Sequence, residues 1–314
     1  MPGQMKAGDI LIELEGGGAE HIIMWVGGDK PIVHSAEQES FVGVIQQSAK
    51  PYLIKKDDEK KWKPFVAVFR SDSESLAAQA AKFAIEWATR SDDEVYMMLR
   101  TLEKEGIEEK IEEYKKENPR VKRFEPGKKN VTIGSPKFGG DTIVLDTPFS
   151  QERLGGGDKD WDVYSLFRAL RAYDRVMSQL PLSQLKGITC SQFVTYCYQA
   201  AALHGHFGGS PIPKEILNLI SDNGKLYSLK KTKESQPDLI SNALEGFDVG
   251  FMPVGMLVDA KTTSADNLME KLLDSKSGFQ EMGYMVPKGD EAVLISISEA
   301  SGIKTWGDLK ELLK

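Results

Sequence analysis

Two cysteines lie seven residues apart in the segment GITCSQFVTYCYQAA, residues 187–201. Thr189 followed by Gln192 is the pattern of a capping box, in which a hydroxyl and an amide satisfy free backbone N–H groups at a helix start. Cys190 therefore falls at the first helical position, at the positive end of the helix dipole, where thiolate is favoured over thiol. A cysteine in that position is a candidate nucleophile for acyl transfer.

The second cysteine has the pattern of a packing residue. Apolar residues follow Cys190 at helical spacing, and Cys197 lies within this stripe. Cysteine is among the most frequently buried residue types, so we expect Cys197 to be inert in the core. Seven helical residues separate two Cα atoms by about 10 Å, which is too far for a disulfide. The sequence predicts two thiols, of which Cys190 is the reactive one.

A thiol nucleophile needs a base, and HIIMWVGGDKPIVHSA supplies two histidines on either side of a glycine turn. A loop of two or four residues centred on this turn pairs Ile23 with His34. His21 shares a face with Ile23 by the two-residue period of a strand, so His21 and His34 become diagonal neighbours. This register offers a general base and a residue that orients it. His34 is the first choice for the orienting residue, and Gln38 on the same face is the second.

The other two histidines, His204 and His206, stand near the predicted end of the cysteine helix. An H-x-H pair can bind a metal, but histidines also interact favourably with a helix C-terminus, and no further ligand completes a set here. We therefore expect no metal and no cofactor.

The bulk composition disfavours several partners. The chain has 314 residues and a formal net charge of −7, so it is unsuited to nucleic acid or to an anionic membrane. No apolar run approaches the roughly 20 residues of a membrane span, and the N-terminus lacks a signal-peptide run. The sequence as written predicts a cytoplasmic protein without stable membrane insertion; export as an effector by a dedicated secretion system is the alternative.

Short β-branched runs and helical patterns indicate how the chain positions these residues. Four runs in the first 70 residues, DILIEL, HIIMWV, PIVHSA and FVAVFR, predict a small antiparallel sheet. A capping-box signal at Ser71 and Glu74 then opens an amphipathic helix. Its predicted buried face consists of Leu76, Ala80, Phe83, Ala84 and Trp87.

The remainder divides the chain into three parts. Residues 1–90 and 159–208 form the predicted core, with a second strong helix that ends at Pro181. Residues 91–158 are a charged insertion with a helix and a hairpin. Residues 209–314 alternate short helices, such as TWGDLKELLK at 305–314, with β-like runs, such as VGFMPVGMLV at 249–258, and form an extension or cap. Either of these last two parts is a candidate surface for a protein partner.

The two half-motifs resemble a known family. GDILIEL followed by HIIMWVGGDKPIVHSA is similar to the histidine half of the NlpC-type papain-like amidases, and TCSQFVTYC is similar to their cysteine half. In the standard arrangement the cysteine half comes first. Here the histidine half comes first, which resembles the circularly permuted YaeF/YiiX-like enzymes and the related lecithin:retinol acyltransferase group. The resemblance covers roughly residues 6–70 and 160–208.

This resemblance implies an α+β fold with a permuted papain-like core, in which the nucleophile helix packs on a small antiparallel sheet. It implies Cys190 as nucleophile, His21 as general base and His34 as the residue that orients His21. In YiiX-type members a glutamate often follows the second strand, so Glu37 is the alternative for the third residue if the hairpin has a different register; the register above sends Glu37 to the opposite face. The backbone N–H of Cys190 is the expected oxyanion donor.

The implied activity is that of a cysteine peptidase or amidase, which cleaves peptide-like amides, such as those of cell-wall peptides, through an acyl-enzyme. One alternative is a thiol acyltransferase or lipid deacylase, which the similar cysteine motif and the apolar run at 249–258 favour. A papain-like scaffold that binds without catalysis is the other.

Overall fold

A seven-stranded antiparallel sheet organises the part of the chain that the structure describes. The computed structural model describes residues 4–15, 18–38, 41–49, 66–90, 102–103, 105–117, 137–138, 141–142, 161, 163–177, 189–214, 216–217, 250–260, 262–288 and 291–301. The strands of the sheet are β1 (Ile10–Glu15), β2 (Gly18–Trp25), β3 (Ile32–Gln38), β4 (Phe41–Gln47), β5 (Val66–Ser71), β8 (Phe279–Lys288) and β9 (Glu291–Ile295). Their order is β4-β3-β2-β1-β5-β8-β9. The fold is therefore mixed α+β with an antiparallel sheet.

The described residues also form six helices. They are α1 (Glu74–Arg90), α2 (Glu108–Glu117), α3 (Val163–Met177), α4 (Cys190–His206), α5 (Ala265–Leu273) and α6 (Ile297–Ala300), with a short 3-10 turn at Val254–Met256. A separate two-stranded hairpin, β6 (Lys137–Phe138) and β7 (Asp141–Thr142), lies within the predicted insertion, as expected. None of the helices described is long and apolar enough to cross a membrane.

The alternation of side chains along the central strands buries both faces of the sheet. Ile12 and Ile22 belong to the large core cluster shared with α1, α3 and α4. Leu11 and Ile23, one residue away, belong to a second cluster on the opposite face. Because a strand turns successive side chains to opposite faces, a continuous β-branched run is the pattern that such doubly covered strands require.

Helix α1 packs as its apolar period predicts, but it begins at a different cap. Ala80, Phe83, Ala84 and Trp87 are all buried in the core cluster. The Ser71 and Glu74 cap is wrong, because Ser71 is the last residue of β5 and its Oγ accepts a hydrogen bond from the N–H of Ser73. The hydroxyl of Ser73 instead accepts from the N–H of Leu76 at 3.3 Å and caps the helix.

The dipeptide Gly8-Asp9 joins the start of β1 to two other elements, α4 and β5. The carbonyl of Gly8 accepts a hydrogen bond from the Tyr198 hydroxyl on α4. Asp9 is buried and accepts two hydrogen bonds from the Arg70 guanidinium on β5, at 2.8 and 2.7 Å. Its carboxylate also accepts from the backbone N–H of Lys6 at 2.7 Å. These contacts explain in physical terms why the strand opens with a glycine and an aspartate.

The C-terminal part of the chain extends the sheet that carries the histidines. β8 pairs with β5, and β9 pairs with β8. The expected β-like run at 249–258 is wrong over its described residues, which form a 3-10 turn after Pro253, a residue without an N–H for a sheet ladder. Residues 305–314, which the sequence predicts to be helical, lie outside the described residues.

Candidate active site

The predicted helix start at Cys190 is confirmed. Thr189 has extended backbone angles, φ −78° and ψ 164°, and its Oγ1 accepts a hydrogen bond from the N–H of Gln192 at 3.1 Å. The Gln192 carbonyl Oε1 accepts from the N–H of Thr189 at 3.2 Å, which completes the capping box. Cys190 is therefore the first helical residue of α4, and the helix ends at His206.

The two cysteines have different surroundings. Cys197 is 0% exposed, as predicted, and burial raises the pKa of its thiol well above the ordinary value. Cys190 is half-buried, and the backbone N–H groups of Ile22, Ser191 and Cys190 itself lie near its Sγ, where they favour the thiolate and lower its pKa. Ile22 follows His21 in β2, and its N–H lies in the plane of the sheet, between the face that α4 covers and the opposite face, which His21 shares with Ile23. The thiol therefore lies against the backbone of the segment that carries the predicted base.

The alternation of backbone hydrogen bonds explains how strand β2 reaches the thiol. The N–H of Trp25 donates to the carbonyl of Asp9 at 2.8 Å, on the β1 side of β2. Successive N–H groups of a strand point to opposite sides, so the N–H of Ile22 points away from β1 and toward β3. The described ladder between β2 and β3 consists of Met24 with Val33 and Trp25 with Ile32. The first turn of α4 therefore meets β2 just beyond the end of this ladder.

The expected preference of Cys190 for thiolate is wrong for this structure. Burial raises the pKa of the Cys190 thiol, and the three backbone N–H groups lower it by less. The negative charge of Glu13 raises it further. Desolvation of the charged form thus outweighs the favourable helix end, because the sulfur sits between a helix and a sheet rather than in water. At neutral pH the side chain of Cys190 is therefore a thiol.

The predicted register of the histidine hairpin is confirmed. The N–H of Val26 donates to the carbonyl of Pro31 at 2.6 Å and closes a four-residue loop, 27–30. Gly27 and Gly28 in this loop have φ of +81° and +74°, in the region that favours glycine. His21 Nε2 and His34 Nδ1 are 2.8 Å apart, and the two rings are nearly perpendicular. The hairpin thus brings the two histidines into direct contact.

A β-bulge in β2 lies next to His21. His21 pairs with Glu13 on β1, whereas Leu14 pairs with Ala19, which leaves Glu20 as an extra residue. Bulges bend a strand and redirect its side chains, and they are frequent beside active sites. The regular register on the other side of the bulge places Glu13 directly opposite His21.

His34 is the most buried titratable group of the site. His34 is only 1% exposed. Burial is the main reason why its pKa lies well below the ordinary value, and the charge of His21 lowers the pKa further. A hydrogen bond with the Ser35 backbone raises the pKa but does not offset these two effects. The amide nitrogen of Gln47 on β4 lies 2.7 Å from His34 Nε2. His34 is therefore a neutral ring at neutral pH, with both of its nitrogens engaged by side chains.

Sequence reasoning did not identify Gln47 and Glu13 as part of this site. Gln47 ends β4, whose run FVGVIQQ carries a β-branched signal that was overlooked, and Glu13 follows from the β1–β2 register. The backbones of Glu37 and Gln38 pair with β4, but their side chains lie outside the described part of the structure. Their proposed role as third residue stays a prediction, as does the oxyanion role of the Cys190 N–H.

The C-terminal part braces both halves of the site. The hydroxyl of Ser191 donates to the carbonyl of Thr263 at 2.7 Å, and the hydroxyl of Thr263 donates to the carbonyl of Asp259 at 2.7 Å. On the histidine side, the N–H of Ala19 donates to Asp266 Oδ1 at 2.6 Å. Residues 259–266 therefore hold the first turn of α4 and the start of β2 at the same time.

The remaining histidines lie at the opposite end of α4. The ring of His204 packs edge-on against Phe83 and Tyr173, with centroids 5.7 and 6.3 Å away. The ring of His206 stacks on Phe251 at 4.4 Å. Within the residues that the structure describes, no group of three His, Cys, Asp or Glu side chains is placed to hold a metal ion.

Comparison of the chain with protein-family models, with curated proteins and with solved structures gave no match.

Proposed function

We propose that the protein is a cysteine-dependent hydrolase that cleaves amide bonds of peptide-like substrates through an acyl-enzyme, on a permuted papain-like core. Cys190 is the nucleophile, His21 the general base and His34 the residue that orients the base. The observation that carries this proposal is that Sγ of Cys190 lies beside the backbone N–H of Ile22, the residue that follows His21. His21 Nε2 in turn lies 2.8 Å from His34 Nδ1.

The reaction begins with a neutral thiol and a neutral imidazole. Since Nε2 of His21 is held by His34, the thiol proton passes to Nδ1 as Sγ attacks the carbonyl carbon. The Sγ–C bond forms and the carbonyl oxygen takes the negative charge. Backbone N–H groups at the start of α4 stabilise that charge, because they have no carbonyl partner within the helix.

The same proton then completes the acyl transfer. The imidazolium of His21 protonates the leaving amine as the C–N bond breaks, and a thioester on Cys190 remains. Water attacks the thioester, His21 takes the proton of that water, and the carboxylic acid leaves as Sγ is protonated again. Glu13, opposite His21 in the sheet, favours the positive charge that the ring carries between these steps.

The lipid alternative loses part of its support. Met252, Met256 and Val258, from the apolar run that favoured a lipid enzyme, are buried in the protein. This run packs against α4, where the amide of Gln199 donates to the carbonyls of Met256 and Val258 at 3.0 and 2.9 Å. We therefore retain the amide hydrolase as the proposed activity.

Alkylation of the native protein by iodoacetamide tests the proposal without a known substrate. We expect His21→Ala to slow labelling of Cys190 at neutral pH by about ten-fold or more, since the base that takes the thiol proton is gone. In this variant burial still raises the pKa of Cys190, so labelling should rise only above about pH 8.5, the ordinary range of a free cysteine. The measurement is peptide mass spectrometry of each cysteine between pH 5 and 10.

Two controls belong to this experiment. Cys197 should stay unlabelled in the native protein, because it is fully buried. His206→Ala removes an exposed histidine at the far end of the same helix and should leave the Cys190 profile unchanged. Equal Cys190 profiles for wild type and His21→Ala would remove the support for a thiol–imidazole site.

A further inference from the structure

The amide of Gln47 extends the contact between the two histidines by one more side chain. Gln47 Nε2 lies 2.7 Å from His34 Nε2, and His34 Nδ1 lies 2.8 Å from His21 Nε2. The β3–β4 register explains this contact, because Gln47 pairs with Ile32 and is therefore a diagonal neighbour of His34 on the same face. Three side chains from three adjacent strands thus form one hydrogen-bonded row that ends at the proposed base.

The protons in this row are coupled. A neutral imidazole carries one N–H and one acceptor nitrogen, so a donor at one nitrogen of His34 decides what the other nitrogen does. If the amide nitrogen of Gln47 donates to His34 Nε2, then His34 Nδ1 carries the proton and donates it to His21 Nε2. The proton of His21 is then on Nδ1, and that nitrogen cannot accept the proton of a thiol.

Rotation of the Gln47 amide by 180° reverses the direction of every hydrogen bond in this row. This rotation exchanges the amide nitrogen and oxygen of Gln47 and leaves the rest of its side chain in place. The oxygen then accepts from His34 Nε2–H, His34 Nδ1 accepts from His21 Nε2–H, and Nδ1 is the unprotonated nitrogen of His21. The two orientations of one amide therefore correspond to an inactive and an active tautomer of the base.

We propose that Gln47 is a positioning residue whose side-chain oxygen, turned toward His34, holds both histidines with their protons on Nε2. This proposal rests on the proposed function, since it concerns the base of the same site. Partners of a histidine that acts as a ligand or base fix its tautomer, and their removal typically costs about 10–100-fold in function.

The neighbouring residue supplies a matched control. Gln46 is adjacent on β4, but its amide donates to the carbonyl of Lys30 in the hairpin loop at 2.9 Å. Gln46→Met and Gln47→Met therefore make the same chemical change one residue apart, on opposite faces of the strand. Gln47→Glu is the informative third variant, because an ionised carboxylate accepts hydrogen bonds and cannot donate them.

Nitrogen NMR of the imidazoles and the rate of Cys190 alkylation at neutral pH together test the proposal. We expect His34 to carry its proton on Nε2 in the wild type and in Gln47→Glu, and to become a mixture of tautomers in Gln47→Met. Alkylation of Cys190 should fall about ten-fold or more in Gln47→Met, stay near the wild-type rate in Gln47→Glu, and be unchanged in Gln46→Met.

Two results would overturn the role of Gln47. One is a His34 tautomer that is the same in the wild type and in Gln47→Met. The other is Cys190 alkylation in Gln47→Met that is as fast as in the wild type, or faster than in Gln47→Glu. The NMR result does not depend on Cys190 chemistry, so it separates this proposal from the function itself, which fails if His21→Ala leaves alkylation unchanged.

Discussion

Replacement of Gly8 by alanine is expected to lower the free energy of unfolding by about 3–5 kcal/mol, near the upper end of single substitutions. A Cβ on Gly8 would lie 2.6 Å from the carbonyl carbon and from the Cβ of Ala77 in α1. These atoms belong to a helix backbone packed in the core, so they cannot turn aside as a flexible side chain would. Gly8 also has a φ of +92°, which adds strain for any residue with a Cβ.

Gly28→Ala is the matched control for this prediction. Gly28 has a similar φ of +74°, but a Cβ there would meet nothing within 4 Å. Its substitution should cost only the backbone strain, about 1 kcal/mol. Urea denaturation measures the free energy of unfolding of both variants. Equal losses of free energy would contradict the prediction, because they would mean that the backbone at Ala77 moves to accommodate the new Cβ. Labelling of Cys190 should also change in Gly8→Ala, since the Gly8 carbonyl holds α4 through Tyr198.

Replacement of Arg168 by methionine is expected to cost about 3–5 kcal/mol of unfolding free energy, the range for one partner removed from a buried ion pair. Arg168 Nη2 lies 2.6 Å from Asp259 Oδ2, and the two side chains are only 5% and 3% exposed. The variant leaves the carboxylate of Asp259 buried without its cation. The double variant Arg168→Met with Asp259→Leu should recover much of the loss, because it leaves no buried charge.

The exposed pair of Lys6 and Glu74 is the control for this ion pair. Its side chains are 51% and 76% exposed, so solvent screens their attraction. Glu74→Gln should therefore leave the denaturation midpoint unchanged within error. A loss in Arg168→Met as small as the loss in Glu74→Gln would mean that water reaches the Asp259 carboxylate. Such a result would also weaken the link from Asp259 through Thr263 to the nucleophile helix.

Local signals in the sequence were sufficient for the features that local chemistry decides. The capping box at Thr189 and the loop length at Gly27-Gly28 depend on a few neighbouring residues, and both follow the prediction. The apolar period of α1 likewise identifies its buried face. The cap of that helix was misplaced by two residues, because Ser71 and Ser73 carry the same signal and only the end of β5 separates them.

Features that depend on distant residues could not be predicted. The raised pKa of Cys190 comes from burial between α4 and β2, which the helix-start pattern does not contain. The contact of Gln47 with His34 requires the β3–β4 register, and no turn signal in the sequence specifies that register. The attachment of β8 to β5 joins strands about 210 residues apart, a pairing that no local period indicates.

The strand order has a consequence for how the protein acquires its active form during synthesis. Tyr198 bonds to Gly8 across 190 residues of chain, and Asp266 bonds to Ala19 across 247. A nascent chain that has emerged only as far as α4 already contains Cys190, His21 and His34, but β5 still lacks its partner β8, and an unpaired edge strand promotes aggregation. The contacts that surround the Cys190 thiol are therefore complete only after residues 259–288 leave the ribosome.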